Sequence, residues 1–206
     1  MIITLDDIGR RYNREWIFRH VHYEFHPQRA YAILGPNGSG KSTLIKLLTA
    51  ALSSSEGTIR YRSNGAEVQL DRVYQHVAIA APYLDLIEEF TLVEALTFHF
   101  QFKKILPGYQ WEEVLNRLEF PKSAQQREVK FFSSGMKQRL KLLLACFSDT
   151  SALFLDEPTS NLDQQGELWY RHLVEETRGN RLVVIGSNQA QEYEFCDHHV
   201  QILDYK

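Results

Sequence analysis

Cysteine is scarce in this chain. Only Cys146 and Cys196 occur, too few for the disulfide framework that staples small secreted domains. Cys146 lies in a helical apolar run and reads as a buried free thiol, which suits a reducing cytoplasm. Basic charge is not in excess either. Lys and Arg number 23 against 26 Asp and Glu, for a net charge of -3, so no global field draws the chain to nucleic acid and no nucleic-acid partner is expected. Long hydrophobic runs are missing, and no window approaches the roughly 18 apolar residues of a membrane span. The opening Met1-Ile2-Ile3-Thr4-Leu5-Asp6-Asp7 has neither the basic region nor the apolar core of a signal peptide. Internal repeats, low-complexity tracts and long linkers are absent too. The 206 residues, 44% hydrophobic and 24% charged, suffice for one sizeable α/β domain with room for an inserted subdomain.

What the chain does have is Gly35-Pro36-Asn37-Gly38-Ser39-Gly40-Lys41-Ser42, a G-x-x-x-x-G-K-S stretch followed by Thr43 and the run Leu44-Ile45-Lys46-Leu47-Leu48. The apolar segment 29–34 precedes it. Strand, glycine-rich turn and helix start form the context of a phosphate-binding P-loop. Glycines let successive backbone N–H groups converge on phosphate oxygens. The helix start adds its positive dipole end and its unpaired N–H groups. Lys41 can reach the β- and γ-phosphates of a bound nucleotide, and Ser42 can ligate Mg²⁺.

Elsewhere, segments 2–5 and 16–25 read as strands, the second with Val21, Tyr23 and Phe25 alternating. The P-loop helix is expected to about residue 52, with strands at 58–61 and 77–80. From 91 to 119 the character turns helical. Thr91 and Glu94 have capping-box spacing, and Trp111, Val114, Leu115 and Leu118 fall at helical intervals. A helix after Ser133, a strand at 152–155, a helix at 165–177 and strands at 182–185 and 200–203 complete the chain. Alternating strands and helices imply a mostly parallel sheet covered on both faces.

The segment Ala152-Leu153-Phe154-Leu155-Asp156-Glu157 is an apolar strand ending in two acids. Asp156 at the strand tip is suited to hold Mg²⁺, and Glu157 to orient the attacking water or accept its proton. Acids in an ordinary turn after a buried strand would look the same.

Three further segments bear on that choice. Phe132-Ser133-Ser134-Gly135-Met136-Lys137-Gln138-Arg139 resembles the L-S-G-G-Q signature of ATP-binding cassette (ABC) ATPases, and it precedes Asp156-Glu157 as in that family. Pro158-Thr159-Ser160-Asn161-Leu162-Asp163 resembles the family's D-loop, and Tyr12 stands where the family carries an aromatic that stacks on adenine. The resemblance covers essentially the whole chain. It implies a single domain over 1–206: an α/β P-loop NTPase with a mostly parallel core sheet, an antiparallel β subdomain and a helical subdomain inserted at about 83–140. It also implies a head-to-tail dimer, with itself or a related subunit. ATP would then lie between the P-loop of one copy and Ser133, Ser134, Gly135 and Asp163 of the other. The implied partners are transmembrane permease subunits, which would hold the chain peripherally at the inner face of the membrane.

The sequence departs from the family at two places. A Gln that binds Mg²⁺ and the attacking water is usual before the helical block, where this chain reads Ala80-Ala81-Pro82-Tyr83. The family's switch His after the last core strand is replaced by Asn188, which can donate an amide hydrogen bond to the γ-phosphate but carries no proton. Retained ATP binding with slow hydrolysis is the expectation. Ser134 and Met136 are milder departures.

Among weaker signals, His20, His22, Glu24 and His26 share one strand face, a pattern given by a metal site and, more often, by a plain polar face. Residues 83–90 mix large apolar side chains with acids, as packing against the core or a groove for a membrane subunit would require. Arg10, Arg11 and Arg14 flank Tyr12, where phosphate contacts and simple solvation are both open. The leading expectation is the ATPase subunit of an ABC transporter. The alternatives are a non-transport ABC ATPase and an ATP-dependent dimerisation module with little hydrolysis.

Overall fold

Alternation along residues 16–25 builds the first of two sheets. In the computed structural model, which describes residues 1–206, β1 (Ile2–Tyr12) and β2 (Glu15–Phe25) form a hairpin. Strands β4 (Glu56–Ser63) and β5 (Ala66–Glu67) extend it into an antiparallel sheet of order β2-β1-β4-β5. β1 runs well past residue 5, where the alternation expected from sequence stops. The pairing register shifts between Leu5 and Ile8, and Asp7 and His20 take positive φ (54° and 55°), so Ile8 returns to the inner face out of phase with Leu5. The outer face of β2 carries discrete pairs: His20 with Asp7 at 2.8 Å, and His26 with Glu24 at 3.1 Å.

The second sheet is wholly parallel, of order β6-β7-β8-β3-β9. It contains β3 (Ala30–Leu34), β6 (Val77–Ala80), β7 (Ala152–Asp156), β8 (Leu182–Ser187) and β9 (His198–Gln201). The near-continuous apolar runs of its strands follow from burial on both faces. Leu153, Leu155, Val183 and Ile185 join one core, and Ala152, Phe154, Leu182 and Val184 join the other. The first core lies under α3 (Leu92–Phe102), α4 (Trp111–Asn116), α5 (Ser134–Cys146) and α6 (Gln164–Thr177). The second takes α1 (Lys41–Leu48), α2 (Val73–His76) and the inner face of the antiparallel sheet. A short α7 (Ala190–Tyr193) follows β8.

Two boundaries differ from the sequence reading. α1 ends at Leu48 rather than near 52, where Ala50 turns to φ 58° and its N–H donates to the Leu47 carbonyl at 3.0 Å. The last strand is His198–Gln201, and Ile202–Tyr205 is a 3₁₀ turn that tucks Ile202 fully inside. The Thr91 capping box forms as expected. Glu94 N–H donates to Thr91 Oγ1 at 3.3 Å, and Thr91 N–H donates to the Glu94 carboxylate at 2.8 Å.

Register decides where function can sit. Asp156 pairs with Gly186 across β7 and β8, and Leu34 pairs with Ser187 across β3 and β8. Three neighbouring strands thus end level, and the loops after all three leave from one carboxyl edge, the usual place for a ligand in an open α/β sheet.

Fully buried Phe154 should be far more costly to truncate than the exposed cap. Phe154→Ala is expected to lower unfolding free energy by about 3–5 kcal/mol and Thr91→Ala by about 1 kcal/mol, both read from urea denaturation midpoints at constant slope.

Candidate functional site

The turn from β3 into α1 is shaped for an anion. Gly38 (φ 76°) and Gly40 (φ 111°) occupy the left-handed region, which side chains disfavour. A Cβ on Gly40 would also lie 2.6 Å from Ile17 Cγ2. Gly40 is the N-cap of α1 and offers no side-chain acceptor, so the first N–H groups of the helix, at Lys41, Ser42 and Thr43, are left for an external partner. Ser39 N–H donates to the Pro36 carbonyl at 3.1 Å, while Ser39 Oγ is buried without any partner. Lys41 is 4% exposed and folds back over the loop, donating to the carbonyls of Gly35 (2.8 Å) and Pro36 (3.2 Å).

Across from it stands Asp156, 1% exposed, with both carboxylate oxygens unpartnered. Burial pushes its carboxyl above the usual range, and neighbouring Glu157 adds to this. The nearby Ser42 hydroxyl, Tyr83 phenol and Lys41 ammonium offset it only in part. A buried carboxylate with no acceptor satisfied is costly. This one is aimed, with the Ser42 hydroxyl, beside a buried cation. That donor set, hard oxygens next to a phosphate-shaped nest, fits a divalent cation such as Mg²⁺.

Glu157 follows at φ 44°, an uncommon conformation for a residue with a side chain, fixed by its N–H donating to the Gly186 carbonyl at 2.8 Å. Gly186 itself has no room for more: a Cβ there would meet Ile45 Cδ1 at 2.6 Å and Asp156 Oδ1 at 2.8 Å. From the end of β8, Asn188 Nδ2 donates to Asn37 Oδ1 at 3.0 Å, bringing the residue at the switch position onto the P-loop.

The signature segment lies apart from these groups. Ser133 is the N-cap of α5, its Oγ accepting Met136 N–H at 3.2 Å, and Ser134 opens the helix. A Cβ on Gly135 would stand 3.1 Å from the Asn161 carbonyl, so signature and D-loop touch. Ser133, Ser134, Gly135, Asn161 and Asp163 line a hollow of about 470 Å³ that contains no P-loop residue. Asp163 also has a local task, accepting Gly166 N–H at 2.8 Å to cap α6.

Tyr12 sits at the end of β1 under the Arg10 guanidinium, 4.6 Å from its ring centroid. It lines a groove of about 850 Å³ together with Lys46, Tyr74, Tyr83, Leu84 and Lys103. Residues 83–90 divide between two environments. Leu86 and Phe90 pack on the core, while Leu84 and Ile87 stay exposed.

Sequence reasoning passed over several groups. Tyr83 stands beside Asp156, with the Lys46 ammonium 3.9 Å from its ring centroid. Burial first, then the Asp156 charge, holds its phenol above the usual range. His99, on the groove wall, is brought down to about 4 by burial, and its Nε2 meets Ser148 Oγ at 2.8 Å. Gly186 and buried Glu192 also escaped notice. Only the break of the apolar run in Val184-Ile185-Gly186 hinted at a close approach.

Comparison with known proteins agrees with this layout. The ABC transporter family model matches residues 18–160. The lantibiotic transport ATP-binding protein SrtF of Streptococcus pyogenes is 28% identical over 204 residues, 94% of this chain and 82% of its own. The Nod factor export ATP-binding protein I of Cupriavidus metallidurans is 24% identical, covering 98% of this chain and 68% of its own. ABC transporter A family member 7 of Dictyostelium discoideum is 28% identical over 82% of this chain, which spans only 20% of that protein. Among solved structures, a bacterial ABC transporter cassette in dimeric form superposes with a TM-score of 0.82 at 18% identity, over 97% of this chain and 94% of that one. No helix is long and apolar enough to cross a membrane. With a glycine-rich turn shaped for an anion, a buried acid at the tip of the neighbouring strand and a separate signature hollow on one α/β frame, the chain belongs to the ABC transporter family as one of its ATP-binding cassettes.

Proposed function

We propose that this chain binds and hydrolyses ATP as the nucleotide-binding subunit of an ABC transporter. It would power movement through separate membrane subunits by closing head to tail on a second copy or a related subunit. The observation that carries the reading is the pair of buried charges at the sheet edge, neither of them in an ion pair. Lys41 has only carbonyls for partners, and Asp156 has none. Both needs are met by a nucleoside triphosphate with its cation.

In this reading the P-loop N–H groups and Lys41 hold the β- and γ-phosphates, and Ser42 and Asp156 hold Mg²⁺. The bound ion would neutralise charge on the β- and γ-phosphate oxygens. Tyr12 takes the adenine by stacking, once its ring leaves Arg10. Glu157 orients a water in line with the γ-phosphorus and accepts its proton as the bond to the ADP oxygen breaks. Asn188 turns its amide from Asn37 to the γ-phosphate. Ser133, Ser134, Gly135 and Asp163 of the second copy close the site from the far side. Each chain alone has half of it, so catalysis depends on assembly. Residues 83–140 act as the inserted helical unit that carries the signature. The exposed side chains of 83–90, Leu84 and Ile87 among them, receive a short helix of the membrane subunit, which keeps the chain on the inner membrane face.

A second reading, an ATP-dependent dimerisation module with little turnover, is favoured by Pro82 and Asn188 at positions where Gln and His are usual. Phosphate release from Mg-ATP, measured alongside gel filtration, decides between the two. Under the first reading ATP drives a dimer that releases phosphate, and Glu157→Gln arrests the ATP-bound dimer with turnover down by about 10²-fold or more. An ATP-bound dimer of the parent chain that never releases phosphate, with its membrane partner present, would move the weight to the second.

Asn188→His supplies a group able to carry charge, so steady-state turnover should rise. A clear fall would contradict the assigned role. A pH effect follows from Asp156. Its folded-state pKa is raised, so the folded chain holds that proton more tightly than the unfolded chain does, and stability is lost as pH rises through the raised value. Asp156→Asn should therefore melt higher than the parent near pH 8, with the gain shrinking toward about pH 4. The same variant should lose the Mg²⁺-dependent rise in melting temperature that ATP gives the parent.

A further inference from the structure

Beneath the loops at the sheet edge lies one group to which the reaction outlined above gives no role. Glu192, in α7, is 1% exposed. Its Oε1 accepts the Thr159 N–H at 2.8 Å and the Thr159 hydroxyl at 2.5 Å. Its Oε2 accepts the Ser187 hydroxyl, and Ser187 Oγ accepts Gln189 N–H at 2.9 Å. The Tyr170 hydroxyl donates to the Glu192 carbonyl at 2.9 Å, fixing the short helix from behind. All these partners are neutral. Burying a carboxylate is costly unless its oxygens are satisfied, and here the two oxygens reach two different loops.

Those loops are the ones that matter. Thr159 follows Glu157-Pro158, and Ser187 immediately precedes Asn188. Pro158 is itself tied to the signature helix, since Gln138 Nε2 of α5 donates to its carbonyl at 2.8 Å. Asn188 reaches Asn37 of the P-loop. A continuous run of polar contacts therefore passes from α5 through 158–159, Glu192 and 187–188 to the P-loop.

We propose that Glu192 is a positioning residue. Its carboxylate holds the loop after β7 and the loop after β8 at a fixed separation, so that Glu157 and Asn188 address one γ-phosphate together. The inference rests on the hydrolytic reading above. It adds a residue that acts through Asn188 and Glu157 and touches neither nucleotide nor water.

The experiment compares the full chain with Glu192→Gln and Glu192→Met. Gln keeps an acceptor for Thr159 and turns an amide to Ser187 Oγ, whereas Met fills similar space with no strong polar group. Hydrogen exchange is followed on the nucleotide-free protein, and phosphate release and nucleotide affinity with Mg-ATP. Glu192→Met is expected to speed exchange in segments 158–162 and 186–190. It should lower kcat by about ten-fold or more while Kd stays within about two-fold. Adding Asn188→Ala should then cost little further, because both changes disable one unit. Glu192→Gln should recover most of the loss. Unchanged exchange in the two segments, or a loss fully additive with that of Asn188→Ala, would overturn the proposal. If Glu192→Met does not fold, Ser187→Ala removes one arm of the clamp, and Thr159→Val removes the hydroxyl half of the other while its backbone N–H stays bonded; Ser187→Ala must loosen the same segments, and adding Thr159→Val must loosen them further, or the proposal fails. A parent chain without turnover would count against hydrolysis itself, and the exchange measurement would still decide whether the clamp exists.

Discussion

An unpaired carboxylate buried at the tip of a parallel strand is the constraint around which this molecule is arranged. Asp156 is out of water with neither oxygen hydrogen-bonded, a state that costs stability in the free protein. The surroundings keep it there. Gly186 leaves it room at closest contact, Ser42 and Tyr83 approach it without closing a bond, and Lys41 is turned to its own loop carbonyls. Strain of this kind is sustained where a ligand relieves it.

The parallel sheet makes the arrangement rigid. β7, β8 and β3 are adjacent and in register, so Asp156, Ser187 and Leu34 end on one line. Each strand is anchored on both faces by apolar side chains that alternate between two cores. Shifting one strand by a single residue would exchange its buried faces, so the relative height of the three loops is specified by packing. The antiparallel sheet serves the same end from outside, pressing Ile17 and Phe18 against Gly40 at the mouth of the P-loop.

The signature hollow and the P-loop occupy separate surfaces, yet a run of polar contacts connects them. Gln138 grips Pro158, Glu192 grips Thr159 and Ser187, and Asn188 grips Asn37. The part of this run made by Gln138, Thr159, Ser187 and Glu192 is buried, so a broken member there leaves an unsatisfied partner in low dielectric, whereas the Asn188–Asn37 bond is exposed.

Local chemistry made much of this legible from the sequence. The glycines and Lys41 of the P-loop, the apolar strand ending in Asp156-Glu157, the Thr91 capping box and the Ser133 helix start are written in adjacent residues, and each depends on its own few neighbours. What pattern alone misplaced were elements set by distant contacts. β1 continues beyond residue 5 because a bulge opposite His20 resets its phase, and the final strand gives way to a turn that buries Ile202 against Gly35. The roles of Tyr83, Gly186 and Glu192 were out of reach, since each is defined by a partner far off in sequence. The residue types and their order thus determined the glycine-rich turn, the acidic strand end and the fold class. Register, burial and the pairing of remote loops, which depend on free energies summed over the whole packed chain, were decided only in the tertiary structure.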